Sequence, residues 1–125
     1  MAKIVLDTNF LLVPFQFKVD VFKELERIVE EKNELVVVSP CVDELKSLAA
    51  GRSRDALAAK AVLSILGKLP VKIVPGTGPA DNAIAKYAEK EKAVVCTTDI
   101  ELRRALKKKG LQAIALRSKS HLAFT

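Results

Sequence analysis

Residues 35 to 38 read Leu-Val-Val-Val, a run of branched apolar side chains with no polar residue between them. A strand with one buried face alternates apolar and polar positions, so an unbroken run suits a strand covered on both faces, as in a parallel sheet. Parallel strands need long crossover connections, usually helices, so this stretch implies an α/β chain. The sequence supplies both parts. Residues 3–6, 34–39, 71–74 ("VKIV"), 93–98 ("AVVCTT") and 112–117 ("QAIALR") read as strands.

Helical patterns separate them. Asp20 is placed to cap a helix over 21–31, with Phe22, Leu25, Ile28 and Val29 on one face. Pro40, tolerated in a first turn, precedes a short helix over 42–49 that Gly51 can end. Residues 54–67 and 80–91 follow, and a last helix over 99–109 stops at Gly110. No repeat or linker divides the chain, so residues 1–125 form one α/β domain with a mainly parallel central sheet of about five strands.

No apolar stretch approaches the ~20 residues that cross a bilayer, and the first residues lack the blocks of a signal peptide; a cytoplasmic protein without a membrane partner is expected. Cys41 and Cys96 form no C-x-x-C and each follows an apolar run, as buried free thiols do. His121 reads as ordinary surface. Lys and Arg outnumber Asp and Glu by 21 to 15, a formal charge of +6 that favours an anionic partner such as nucleic acid.

In open α/β sheets, sites lie outside the carboxyl ends of the strands. Asp7 follows the first strand, Glu44 lies a helical turn beyond the second, Asp81 opens the helix after the third, and Asp99 follows the fourth. Singly, Asp81 and Asp99 are what a helix N-cap calls for. Together, like charges on one sheet edge repel unless a cation lies between them. Oxygen ligands with no His or Cys nearby select hard ions, Mg²⁺ or Mn²⁺ and not zinc, and such ions among carboxylates promote phosphodiester hydrolysis. Thr8 and Asn9, facing opposite ways if the chain stays extended, and Thr97 and Thr98 beside Asp99 can orient these acids or form plain turns.

The stretches "VLDTNFLL", "SPCVDEL", "PADNAIAKYA" and "VVCTTDIELRR" resemble, in order, the four acidic motifs of PIN-domain ribonucleases. The resemblance implies a three-layer α/β/α fold and Mg²⁺- or Mn²⁺-dependent hydrolysis of single-stranded or structured RNA. It assigns Asp7, Glu44, Asp81 and Asp99 as metal-binding, catalytic acids, Thr98 as a polar partner of the fourth, and Glu101 as an auxiliary acid. "GTGPADNAIAKYAEKEKAVVCTTDIELRRALKKKG" and the tail "ALRSKSHLAF" look closer to members that cut precursor ribosomal RNA than to toxins of toxin–antitoxin pairs. A homodimer, and an antitoxin or ribosome-assembly partner, are further expectations from the resemblance.

RNA binding is assigned to Arg103, Arg104, Lys107 and Lys108 on the last helix, and to Lys46, Arg52 and Arg54 around the second basic loop. Phe15 and Phe17 in "VPFQFKVD" suit core packing or a dimer contact, with base stacking as the alternative. A non-cleaving RNA-binding module is the rival from another class. A phosphotransfer protein would want a second acid beside Asp7, where Leu6 and Thr8 stand instead.

Overall fold

The computed structural model describes residues 1–125. Its centre is a six-stranded sheet of order β3-β2-β1-β4-β5-β6. The strands are β1 (Ala2–Leu6), β2 (Asn33–Val38), β3 (Val71–Val74), β4 (Val94–Cys96), β5 (Ala113–Arg117) and β6 (His121–Phe124). β1 to β5 are parallel and β6 runs antiparallel to β5.

Six helices connect and cover the strands: α1 (Thr8–Phe17), α2 (Val21–Ile28), α3 (Ser39–Ala49), α4 (Arg54–Ile65), α5 (Ala80–Glu91) and α6 (Ile100–Lys108). The chain steps from β1 through β2 to β3, then returns across the sheet to β4 and β5. With right-handed crossovers, connections before and after β3 cover opposite faces. α3 packs on α4, α1 on both, and α5 crosses beneath β2, β1 and β4.

β1 lies between β2 and β4 in the middle of the sheet. Ile4, Val5 and Leu6 have no exposed surface, and Val5 pairs with both Val36 and Val95. Each such side chain adds about 1.5–3 kcal/mol of burial. These strands join Phe10, Val13, Leu45, Ile84 and Leu106 in one core. The reversal of strand order between β1 and β4 opens a crevice at their carboxyl ends, where open α/β sheets bind ligands.

Several expectations need correction. The sheet has six strands, not about five, because residues 121–124 fold back on β5. Residues 8 and 9 do not stay extended: Asp7 is the N-cap of α1, its carboxylate accepting the Thr8 N–H at 2.7 Å, so Thr8 and Asn9 lie in a first helical turn. α2 ends at Ile28 rather than 31, since Val29 turns to extended backbone ahead of β2. Its cap is as expected, with Asp20 accepting from the Lys23 N–H. α3 starts at Ser39, with Pro40 in its first turn. Phe15 and Phe17 are not core residues, being 47% and 36% exposed.

Candidate active site

Register builds the site. Leu6 pairs with Cys96, and the Asp7 N–H continues the ladder to the Cys96 carbonyl at 3.0 Å, so Asp7 and Thr97 leave adjacent strands side by side. Both are buried, Asp7 at 7% exposure and Thr97 at 0%. The Thr97 hydroxyl donates to Asp7 Oδ2 at 2.6 Å and accepts the Asp99 N–H at 3.0 Å. One hydroxyl therefore fixes the first acid and the backbone of the fourth.

Glu44 reaches the same place from α3. The Thr8 hydroxyl donates to Glu44 Oε1 at 2.9 Å, and carboxylate oxygens of Asp7 and Glu44 lie with Cys41 Sγ within 4.8 Å of one another. Burial pushes the Asp7 carboxyl above the ordinary carboxylate range, and the charges of Glu44 and Asp99 push the same way; the Thr97 and Thr8 hydrogen bonds oppose them. No basic side chain offsets these charges. The chain's ion pairs are Lys3–Glu91, Arg27–Glu24, Lys72–Glu34 and Lys109–Glu89, all elsewhere.

Asp99 is at once a cleft acid and the α6 N-cap, its Oδ1 accepting from the Glu101 and Leu102 N–H groups. Asp81, exposed in the first turn of α5, accepts the Asn82 N–H and lines the opposite wall. That wall is tied to α3, because the Ser39 hydroxyl accepts the Gly76 N–H at 3.1 Å. A Cβ on Gly76 would come within 3.1 Å of Ala83 and 3.2 Å of Pro40, so glycine permits this approach.

The four acids thus line one open cleft of about 880 Å³. Thr8 and Asn9 line it too, and Asn9 Oδ1 accepts the Thr98 N–H at 3.1 Å. Thr98 is exposed, and the hydroxyl on Asp7 belongs to Thr97. Glu101, exposed on α6, meets the site through its backbone N–H. Gln16, Asp43, Ser47 and Asp55 also line the cleft. Only Asp43, beside Glu44 in "VDEL", carried a signal for this; Gln16 belongs to the unforeseen helix α1.

The cations are dispersed. Arg104, Lys107 and Lys108 are exposed on α6, which leads away from the cleft; Arg103 is half-buried, its Nε enclosed without a partner. Lys46 is exposed on α3, and Arg52 and Arg54 at the α3–α4 turn.

The donor set fits a hard divalent ion. Asp7, Glu44 and Asp99 supply uncompensated carboxylate oxygens, with Asp81 across the cleft. Against the expectation of no Cys near the acids, Cys41 Sγ lies beside the Asp7 and Glu44 carboxylates, where burial pushes its thiol up to about 11. Burial raises the Cys96 thiol as well.

A family model described as "PIN like domain" matches residues 4–119. Ribonuclease VapC4 of Methanocaldococcus jannaschii is 37% identical over 124 residues, covering 97% of this chain and 95% of the relative. Among solved structures, the PIN domain endonuclease Utp24 superposes with a TM-score of 0.78 at 21% identity, over 98% of this chain and 90% of the other. VapBC2 of Rickettsia felis, bound to a DNA fragment from its promoter, gives 0.63 at 15% identity, over 92% and 99%.

Proposed function

Because the chain belongs to the PIN-domain family, we propose that it is a metal-dependent endoribonuclease that hydrolyses phosphodiester bonds of RNA in the cleft above β1 and β4. The observation that carries this is the approach of the Asp7 and Glu44 carboxylates, with Asp99 adding its charge and no basic partner nearby. Asp7, Glu44 and Asp99 would hold Mg²⁺ or Mn²⁺, with Asp81 completing the acidic wall. When bound, such an ion lowers the pKa of water and offsets the charge that builds on the phosphate.

The protein's part is orientation. Thr97 holds one oxygen of Asp7, and Thr8 holds one of Glu44 and, through its N–H, the other oxygen of Asp7. Neither carboxylate can swing freely, so their remaining lone pairs face the cleft in a fixed arrangement. Asn9 ties the α1 start to the backbone before Asp99. The cleft is open and polar, as a site that admits a strand must be. Arg52, Arg54 and Lys46 on one side, and Arg103, Arg104, Lys107 and Lys108 on α6, supply the positive charge that draws RNA in.

Two cellular roles have support. The 37% identity to Ribonuclease VapC4 over almost the whole chain favours a toxin-type ribonuclease with an antitoxin partner. The motif and tail resemblance favours RNA processing, ribosomal RNA included. An antitoxin encoded beside the gene and co-purifying with the chain would decide for the first.

The chemistry is tested by RNA cleavage with wild type and Asp7→Asn in Mn²⁺, Mg²⁺ or EDTA, together with thermal melting. Wild type should cut only with a divalent ion and should melt higher when Mn²⁺ is added. Asp7→Asn should do neither. Absence of both cleavage and a metal-induced shift in the wild type would leave the non-cleaving module as the better reading.

A further inference from the structure

Phe15 and Phe17, on the last turn of α1, stand outside the core although aromatic side chains contribute most when buried. They form one wall of a groove whose other wall is the start of α4, with Arg54, Asp55 and Leu57. Leu57 is 65% exposed and adds apolar surface to that second wall. Gln16 and Asp55 belong both to this groove and to the acidic cleft, and the Gln16 amide donates to Asp55 Oδ1 at 3.0 Å between them. The groove therefore adjoins the acidic cleft along this edge.

Its rim is cationic. Arg54 lies in the groove, and Lys119, on the β5–β6 turn, places its Nζ 5.9 Å from the centre of the Phe17 ring. Eight to ten residues of α1 separate Asp7 from Phe15 and Phe17. At about 1.5 Å per residue this is roughly 12–15 Å, or about four nucleotides of a stacked strand. The centre of a protein–protein interface is depleted in Lys and Asp. A groove with Asp55 within it and Lys119 over a ring departs from that character, and its rings beside the cations Arg54 and Lys119 suit a stacking platform with phosphate contacts.

We propose that this groove takes unpaired bases of the RNA strand whose phosphodiester occupies the acidic cleft, with Phe15 and Phe17 stacking on the bases and Arg54 and Lys119 meeting the phosphates. The inference rests on the nuclease reading for what fills the cleft, and adds that the bound strand is single there. Base pairing would hold the bases away from the rings, so a duplex cannot use the platform.

The test measures binding apart from cleavage, in the Asp7→Asn background with Mg²⁺, using a labelled single-stranded uridine oligomer of about 12 nucleotides and a duplex of equal length. Phe15→Ala with Phe17→Ala should weaken single-strand binding about ten-fold or more and leave duplex binding unchanged. Because the chain has no Trp, Phe17→Trp supplies an isolated fluorophore that retains an aromatic surface. It should keep wild-type affinity, and its emission should be quenched as the single strand saturates. Unchanged single-strand affinity in the alanine variant, equal loss for both RNAs, or saturation without quenching would each overturn the proposal. A shift from dimer to monomer with unchanged RNA affinity would assign the groove to a second copy instead. Cleavage by the wild type in parallel reports the nuclease reading on its own.

Discussion

Thr97 carries more of the site than its single hydroxyl suggests, since it donates to Asp7 and accepts from the Asp99 N–H. Thr97→Val keeps the shape and β-branching but leaves a buried carboxylate oxygen and a backbone N–H unpaired, each costing about 1–3 kcal/mol. The variant should melt lower by several degrees and cut RNA about 10–100-fold more slowly, as loss of a group that orients metal-binding side chains does. Melting and initial cleavage rates check both effects, and an unchanged rate would remove Thr97 from the machinery. The four acids were readable in the sequence because each comes within a turn or so of an apolar run or opens the helix after it. Which of two consecutive threonines faces Asp7 was not readable. That depends on where β4 stops, and a contact between residues 6 and 96 sets it.

Among the elements, α2 does more than cover the sheet. The β6 edge exposes the backbone of Leu122, whose N–H donates to Glu24 Oε1 at 2.9 Å and whose carbonyl accepts from Arg27 Nη2 at 3.1 Å. Glu24 and Arg27, bonded to each other, act as a surrogate strand on that residue. The Arg27 hydrogen bonds and the Leu122 N–H lower the Glu24 carboxyl from its ordinary 4.5 to about 2. A depressed folded-state value means stabilisation that is complete above the unfolded value and disappears as pH falls from about 4.5 to about 2. The melting difference between wild type and Glu24→Gln should therefore be constant above about pH 5 and close by about pH 2; a gap that persists at pH 2 would refute the link. Residues 121–124 were not legible as a strand because four residues carry little pattern and their partner is β5. α1 escaped notice for another reason: its buried side chains run in succession, Phe10 to Val13, and Pro14 sits inside it, so no helical stripe marks it.

At the scale of the molecule, charge is divided by place. The chain carries a net excess of six positive charges, yet the ionisable groups that line the cleft are all acidic. RNA affinity should fall linearly on a logarithmic salt scale, each phosphate contact contributing about 0.7 to the slope for a single strand. Arg54→Gln, beside the cleft, should lower the slope by about that amount. Lys108→Gln, about 13 Å along α6 from Asp99, should change it less, and binding titrations at several salt concentrations compare the two. The layered α/β plan could be read from the uninterrupted valines of β2, since only a strand covered on both faces tolerates them. The strand order could not, because it depends on which crossover turns back, and that choice makes the crevice between β1 and β4. All the chemistry consequently stands on one rim of the sheet. The loops of the other rim, including the Lys109–Gly110 turn with its left-handed glycine, are free of it. That rim is the natural place to graft new sequence. A short glycine–serine insertion after Gly110 should preserve cleavage, whereas the same insertion after Gly78, in the wall that carries Asp81, should abolish it, and parallel cleavage assays decide the matter.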